Sequence, residues 1–323
     1  MLLILFRGFP LLRRNFLLAV GFYVFKLLFS FLVVLPVGFS LVSFLSQLKE
    51  AENFLEKIDW NLLAEFFAAR PGSLTTLGVT YFLALPLAAL SYIFFLGGAI
   101  RSLDYSRGGG QYKVSGWTFF ADSARFFKPL LKLELILYAL YIFALLAGLL
   151  LNAALSALIP DSFGYSGRIF WGIVIFFIAA LPFLFVNLTG DYAKLILVTE
   201  ERKPLEAYRN SFRYMKANFK LTAGGYFILL GGQLFLSAVL LIAEKGLSLP
   251  TIFLGIFGQQ LASLLKSGYR VFAYGAELEI LKSLPPLPAK PVSLPEVEKA
   301  PVTDSVSLLE TKDLSRASPR DES

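Results

Sequence analysis

Apolar stretches of more than twenty residues recur along this chain, and each is long enough to cross the hydrocarbon of a bilayer as a helix. Lipid offers no partner for backbone N–H and C=O groups, so such runs must satisfy their own hydrogen bonds and fold as helices. Six spans are predicted: 16–45, 74–100, 133–158, 169 into Asp191, 221–243 and 250–281. Pro36 and Pro182 fall inside spans and predict kinks. Only 16% of the residues are charged, against about a quarter in soluble domains, so the chain lacks the polar surface to cover a water-facing core. Gln259, Gln260, Lys266 and Arg270 weaken the sixth segment, which leaves a reentrant hairpin as the alternative there.

Lysine and arginine are distributed unevenly between the two sides. Sixteen fall before the first span and in 101–132 and 191–220, against five in 46–73, 152–168 and 244–249. The positive-inside rule then puts both termini in the cytoplasm and the protein in the inner membrane of the cell. The net charge of +7 belongs to these segments beside anionic headgroups, and a nucleic-acid partner is not expected. The apolar run before Arg7 is too short for a cleaved signal peptide. From Leu284 the composition changes to Pro, Lys, Glu and Ser, so 284–323 reads as a disordered cytoplasmic tail behind a membrane domain of 1–283.

The segment after the fourth span is amphipathic. Pro204 can open a helix, and Leu205, Tyr208, Phe212, Met215 and Phe219 follow at spacings of three and four, on one face. Arg209, Arg213, Lys216 and Lys220 edge that face, as in helices lying at the membrane surface. The outer loop carries a second, acidic stripe: Leu48, Ala51, Leu55, Ile58, Leu62 and Phe66, with Glu50, Glu52, Glu56, Asp59 and Glu65 outside it.

The basic segment occurs twice. Ser211, Arg213, Lys216, Lys220 and Leu221 repeat Ser123, Arg125, Lys128, Lys132 and Leu133 at the same spacing, 88 residues on, and Asp191-Tyr192 mirrors Asp104-Tyr105. Arg13-Arg14-Asn15-Phe16 resembles Lys216-Ala217-Asn218-Phe219 more weakly. The fold expected is therefore all-α and polytopic: three helical hairpins (1–100, 101–200 and 201–283), each preceded by a cytoplasmic interfacial helix. The Asp-Tyr at a span's end and the Glu206-Ala-Tyr-Arg-Asn-Ser-Phe-Arg-Tyr helix resemble bacterial six-span membrane proteins of unassigned function. They also resemble the membrane domain fused to some glycerophosphodiester phosphodiesterases, over residues 90–282. The resemblance implies an all-helical inner-membrane protein; no phosphodiesterase domain is present, so that activity does not carry over.

Chemistry is sparse. Cysteine and histidine are absent, and Gly108-Gly109-Gly110 lacks the rest of a phosphate loop, so no metal, cofactor or catalytic set is expected and the chain reads as non-enzymatic. Arg125, Lys128, Lys132, Arg209, Arg213, Lys216 and Lys220 are candidate headgroup ligands. Asp104 and Asp191 are candidate structural ion pairs, with Arg125 and Arg213 as the partners considered. Lys26, Gln233, Gln259, Gln260 and Lys266 are the candidate intramembrane polar groups. Lys26 either marks a cavity or snorkels to the headgroups. Glu134, Glu277 and Glu279 are placed at the inner boundary, facing headgroups or basic side chains. Gly224, Gly231 and Ala238, with Gly225 and Gly232, make small-residue rows on span five, and Gly255, Gly258 and Ala262 one on span six, suited to close helix contact. The function expected is a lipid-interacting scaffold or accessory subunit that binds anionic lipids and takes a protein partner on its cytoplasmic face or tail. The alternative is a transporter or lipid-moving permease.

Overall fold

The structure is a computed structural model that describes residues 2–47, 60–108, 115–157, 165–246 and 252–285. Most of the acidic loop stripe, the Gly109-Gly110 turn, the turns after residues 157 and 246, and the tail from Pro286 lie outside the described residues. Among those described, all regular structure is helical. The helices are α1 (Leu2–Phe6), α2 (Gly8–Arg14), α3 (Phe16–Leu45), α4 (Trp60–Ala69), α5 (Pro71–Arg107) and α6 (Gly116–Ser156). They are followed by α7 (Tyr165–Thr199), α8 (Pro204–Ala217), α9 (Phe219–Gly246) and α10 (Ile252–Ser283).

Five stretches are long and apolar enough to cross a membrane: Phe16–Leu45, Pro71–Arg107, Gly116–Ser156, Ile169–Thr199 and Phe219–Ala243. The chain is thus built as a multi-pass membrane protein. α10 is as long, at 32 residues, but charged positions interrupt its apolar run. With 37 and 41 residues, α5 and α6 are about 55 and 60 Å long at 1.5 Å per residue, well beyond the roughly 30 Å of hydrocarbon. Helix α5 therefore continues through Asp104 to Arg107, where the sequence pattern suggested a loop.

Local chemistry sets the breaks. Pro71 and Pro204 begin α5 and α8, where a missing N–H is harmless. Asn15 ends α2 and Asn218 ends α8 in similar non-helical conformations, φ −114° and −129°. Each Nδ2 donates to the carbonyl four residues back, Leu11 at 2.9 Å and Tyr214 at 3.4 Å. The register equivalent in the middle basic segment is Leu130, which has no such donor, and there α6 runs unbroken from Gly116 into the membrane. The expected separate helix before the third span is accordingly the first part of α6.

Burial is concentrated at the end of the bundle where the basic segments lie. Ile100, Leu130, Leu137, Leu195 and Ile196 are fully enclosed there, whereas Phe39, Phe82, Leu150 and Phe235 in the other halves of their helices are exposed. At the packed end α5 lies on the start of α6, α7 on α8, and α10 on α2. Ser123 and Ser211, which correspond in the repeat, are both completely buried.

Helix α8 packs through Ala207, Ser211 and Met215. Of the predicted apolar stripe only Met215 is buried; Leu205, Phe212 and Phe219 are exposed. Between α7 and α8, Glu201 adopts φ 54°, a conformation that costs an ordinary residue about 1 kcal/mol or more. Its carboxylate joins two helices, 3.3 Å from Arg101 of α5 and 2.6 Å from Arg125 of α6. Glu201→Gly removes the bridge and relieves the backbone; Glu201→Ala removes the bridge alone. The alanine protein is expected to be the less stable of the two by about 1 kcal/mol in detergent thermal melts; equal stability would mean the backbone there is unstrained.

Candidate functional site

Polar side chains converge in the packed half of the bundle. A cavity of about 330 Å³ lies between α7, α9 and α10, lined by Asn187, Asp191 and Lys194 from α7, Tyr226 and Gln233 from α9, and Tyr269, Arg270, Tyr274 and Glu277 from α10. Its size is at the lower end for small-molecule sites. Most of these positions recur at helical spacing: Asn187, Asp191 and Lys194 on α7, and Arg270, Tyr274 and Glu277 on α10, each on one face.

Lys194 is buried and neutralises two carboxylates. Its Nζ lies 2.9 Å from Glu134 of α6 and 3.7 Å from Asp191, one turn back on α7. Farther in, Tyr141 of α6 donates to Asn187 Oδ1 at 2.9 Å, and Asn187 Nδ2 donates to Tyr226 Oη of α9. Three helices are thereby tied together by groups that would be costly to leave unpaired in a lipid-like interior.

The α10 wall differs. Arg270 stacks on Tyr92 of α5, with its guanidinium carbon 4.7 Å from the ring centroid, and lies 5.9 Å from that of Tyr274. The two hydroxyls, Tyr92 and Tyr274, are 2.9 Å apart. Among the described residues Arg270 makes no salt bridge. Glu277 is 4% exposed, and its Oε2 has no hydrogen-bond partner. Tyr269 reaches across α9 to donate to the Leu229 carbonyl at 2.6 Å, over Gly232, where a Cβ would meet the Tyr269 hydroxyl.

The residues singled out from sequence are placed variously. Of the intramembrane candidates only Gln233 lines the cavity. Lys26 donates to Ser267 at 3.1 Å, Gln260 accepts from Tyr23 at 3.1 Å, and Gln259 and Lys266 are exposed. Asp191 pairs with Lys194, not Arg213. Asp104 lies 3.6 Å from Arg101 and 3.8 Å from Lys282, not against Arg125. The physical reason is proximity within the helix: a partner three residues along is already on the same face. Glu279 and Glu134 do meet basic side chains, Arg107 at 3.0 Å and Lys194 at 2.9 Å, whereas Glu277 is buried and makes no salt bridge among the described residues. Lys128, Lys132, Arg209, Lys216 and Lys220 are exposed, and Arg213 is half-buried. In the glycine rows, Gly225 and Gly232 face α10, where a Cβ on Gly225 would lie 2.5 Å from Ile280 Cδ1. A Cβ on Gly231 would meet nothing within 4 Å, so Gly231 makes no close helix contact. Arg270 and Glu277 could have been found from the sequence as charges seven apart, on one helical face, inside a segment otherwise able to span.

No protein-family profile, curated protein or solved structure matches the chain.

Proposed function

We propose that the protein is a permease, a six-span membrane protein that takes a small polar molecule or a lipid headgroup into the cavity between α7, α9 and α10. The observation that carries this reading is the cavity itself, an open polar space with two acidic and two basic side chains inside an apolar bundle. Charged groups within spans are expensive and are placed there for binding or conduction more often than for packing. A scaffold that binds lipids only through its surface has no use for them.

The same arrangement supports a sixth span. Arg270 and Glu277 of α10 line the cavity and Glu279 is buried against Arg107, while Ile256, Phe257, Leu261 and Leu265 are exposed. Average hydropathy penalises α10 for Arg270, Glu277 and Glu279, which line the cavity or pair with Arg107, as well as for the exposed Lys266. With six spans the three units close in a ring, each returning helix packed on the next unit's basic segment and α10 on α2. Both termini and the packed end then face the cytoplasm of a cell membrane. The exposed Leu205, Phe212 and Phe219 of α8, edged by Arg209, Lys216 and Lys220, suit the anionic inner headgroup layer.

The test uses the absence of native cysteine. Single cysteines at Gln233 and Ala273, on the cavity wall, should react with a charged, membrane-impermeant thiol reagent in inverted vesicles. A cysteine at the exposed, apolar Phe235 should not. Equal inertness at all three positions would remove the cavity, and the permease reading with it.

A further inference from the structure

The charges left over on the α10 wall specify what the cavity takes. We propose that its ligand is a zwitterion, bound with its ammonium group toward Glu277 and its phosphate or carboxylate toward Arg270. This rests on the cavity being the binding site, as argued above.

The charged groups of the site divide into two sets. Lys194, Glu134 and Asp191 satisfy one another at 2.9 and 3.7 Å and hold α6 to α7. Arg270 and Glu277 have no such arrangement: Arg270 makes no salt bridge among the described residues, and the Glu277 Oε2 is enclosed without a partner. An enclosed carboxylate oxygen with nothing to accept from is an unusual expense in a folded interior, and a bound donor offsets it. The guanidinium is held by the Tyr92 ring, 4.7 Å from its carbon, and by a hydrogen bond with Tyr274, and Arg270 lines the cavity together with Glu277.

Spacing makes the pair complementary to a ligand instead of to each other. Seven residues bring the two positions almost to the same rotation about α10, separated by roughly 10 Å along its axis at 1.5 Å per residue. That is too far for a direct salt bridge, and it leaves room for a molecule whose own charges are a few ångströms apart. A lone cation would leave Arg270 uncompensated. A lone anion would leave Glu277 so and would also approach Asp191. A phosphate or carboxylate suits the planar donor fork of arginine, and an ammonium group carries the hydrogen atoms that the Glu277 oxygen lacks.

The same chemistry is found in free solutes and in zwitterionic lipid headgroups, so both enter the test. The full chain, purified in detergent, is offered O-phosphorylethanolamine and, as the amine-free counterpart, glycerol phosphate, with binding read by calorimetry. In parallel, native mass spectrometry reads retention of phosphatidylethanolamine against phosphatidylglycerol. The amine-bearing member of at least one pair should bind about tenfold tighter, a difference of about 1.4 kcal/mol. Glu277→Gln should erase that preference, Glu277→Asp should keep part of it, and Arg270→Gln should weaken both members about tenfold. Preference in the soluble pair alone identifies a free solute, and preference in the lipid pair alone a headgroup. Equal binding within both pairs, or a preference that survives Glu277→Gln in a protein that melts like the parent, overturns the zwitterion. If cysteines at 233 and 273 react while neither amine is preferred, the ligand class fails and the permease reading stands. If those cysteines are inert, both fall.

Discussion

Replacing Lys194 with methionine should lower the melting temperature of the detergent-solubilised protein by roughly 10 °C, the loss expected when one partner of a buried ion pair is removed at about 3–5 kcal/mol. Methionine fills nearly the same volume, so packing around α7 is retained and the change is electrostatic. Glu134 and Asp191 share the Lys194 ammonium at 2.9 and 3.7 Å, and Lys194 and Glu134 are both buried. Without the lysine two carboxylates face each other in a low-dielectric interior, where each ionised group is strongly penalised and like charge adds to the penalty. Adding Glu134→Gln to Lys194→Met removes one of the two negative charges and should recover a substantial part of the loss. A single variant as stable as the parent, measured by fluorescence-detected gel filtration after heating, would mean that the triad is solvated and the cavity wall is not assembled as described.

Gly98→Leu is the second large effect. Helix α5 approaches the start of α6 so closely at Gly97 and Gly98 that no side chain fits between them. A Cβ on Gly97 would lie 3.0 Å from the Phe126 Cβ, and one on Gly98 would lie 2.8 Å from both the Phe119 ring and the Phe119 carbonyl oxygen. The carbonyl is backbone and cannot rotate away, so relief requires α5 and α6 to separate. Overpacking of this kind costs about 1–3 kcal/mol and more where helices must move. Separation would also displace Tyr92, about one and two-thirds turns earlier on α5, relative to Arg270. Gly98→Leu is therefore expected to reduce both thermal stability and any ligand binding in the cavity. Gly231→Leu on α9 is the matched control, because a Cβ there has nothing within 4 Å, and it should be close to neutral. Comparable losses from the two substitutions would show that leucine bulk in a span, not the α5–α6 contact, is responsible.

The repeat shows how far reading the chain could go. Its identities put Ser123 and Ser211 at corresponding places, and both are fully buried, which alignment alone could not say. Asn15 and Asn218 correspond in the weaker match, which carried no expectation of a helix end, and both end helices with side chains bonded four residues back. Cations were easier to locate than to pair. Arg125 meets Glu201, a residue in no motif, because the α7–α8 connection bends back through a positive φ to reach it. Among the intramembrane candidates, Lys26 and Gln260 were visible as polar letters in apolar text, yet they bond Ser267 and Tyr23 and lie outside the cavity lining.

What the sequence determined by itself is the material of the protein: helices, their approximate ends, and a lipid surround for most of them. These depend on hydropathy summed over a span and on residues within four positions of each other, both of which are local. The tertiary structure decided which charges are partners and which carry no salt bridge among the described residues. Lys194 is satisfied by Glu134, 60 positions away, and Arg270 is aimed by Tyr92, 178 positions away. Such pairings depend on how each helix is rotated against its neighbours. A rotation of one residue, 100°, turns a cavity wall toward lipid without altering the composition of any span.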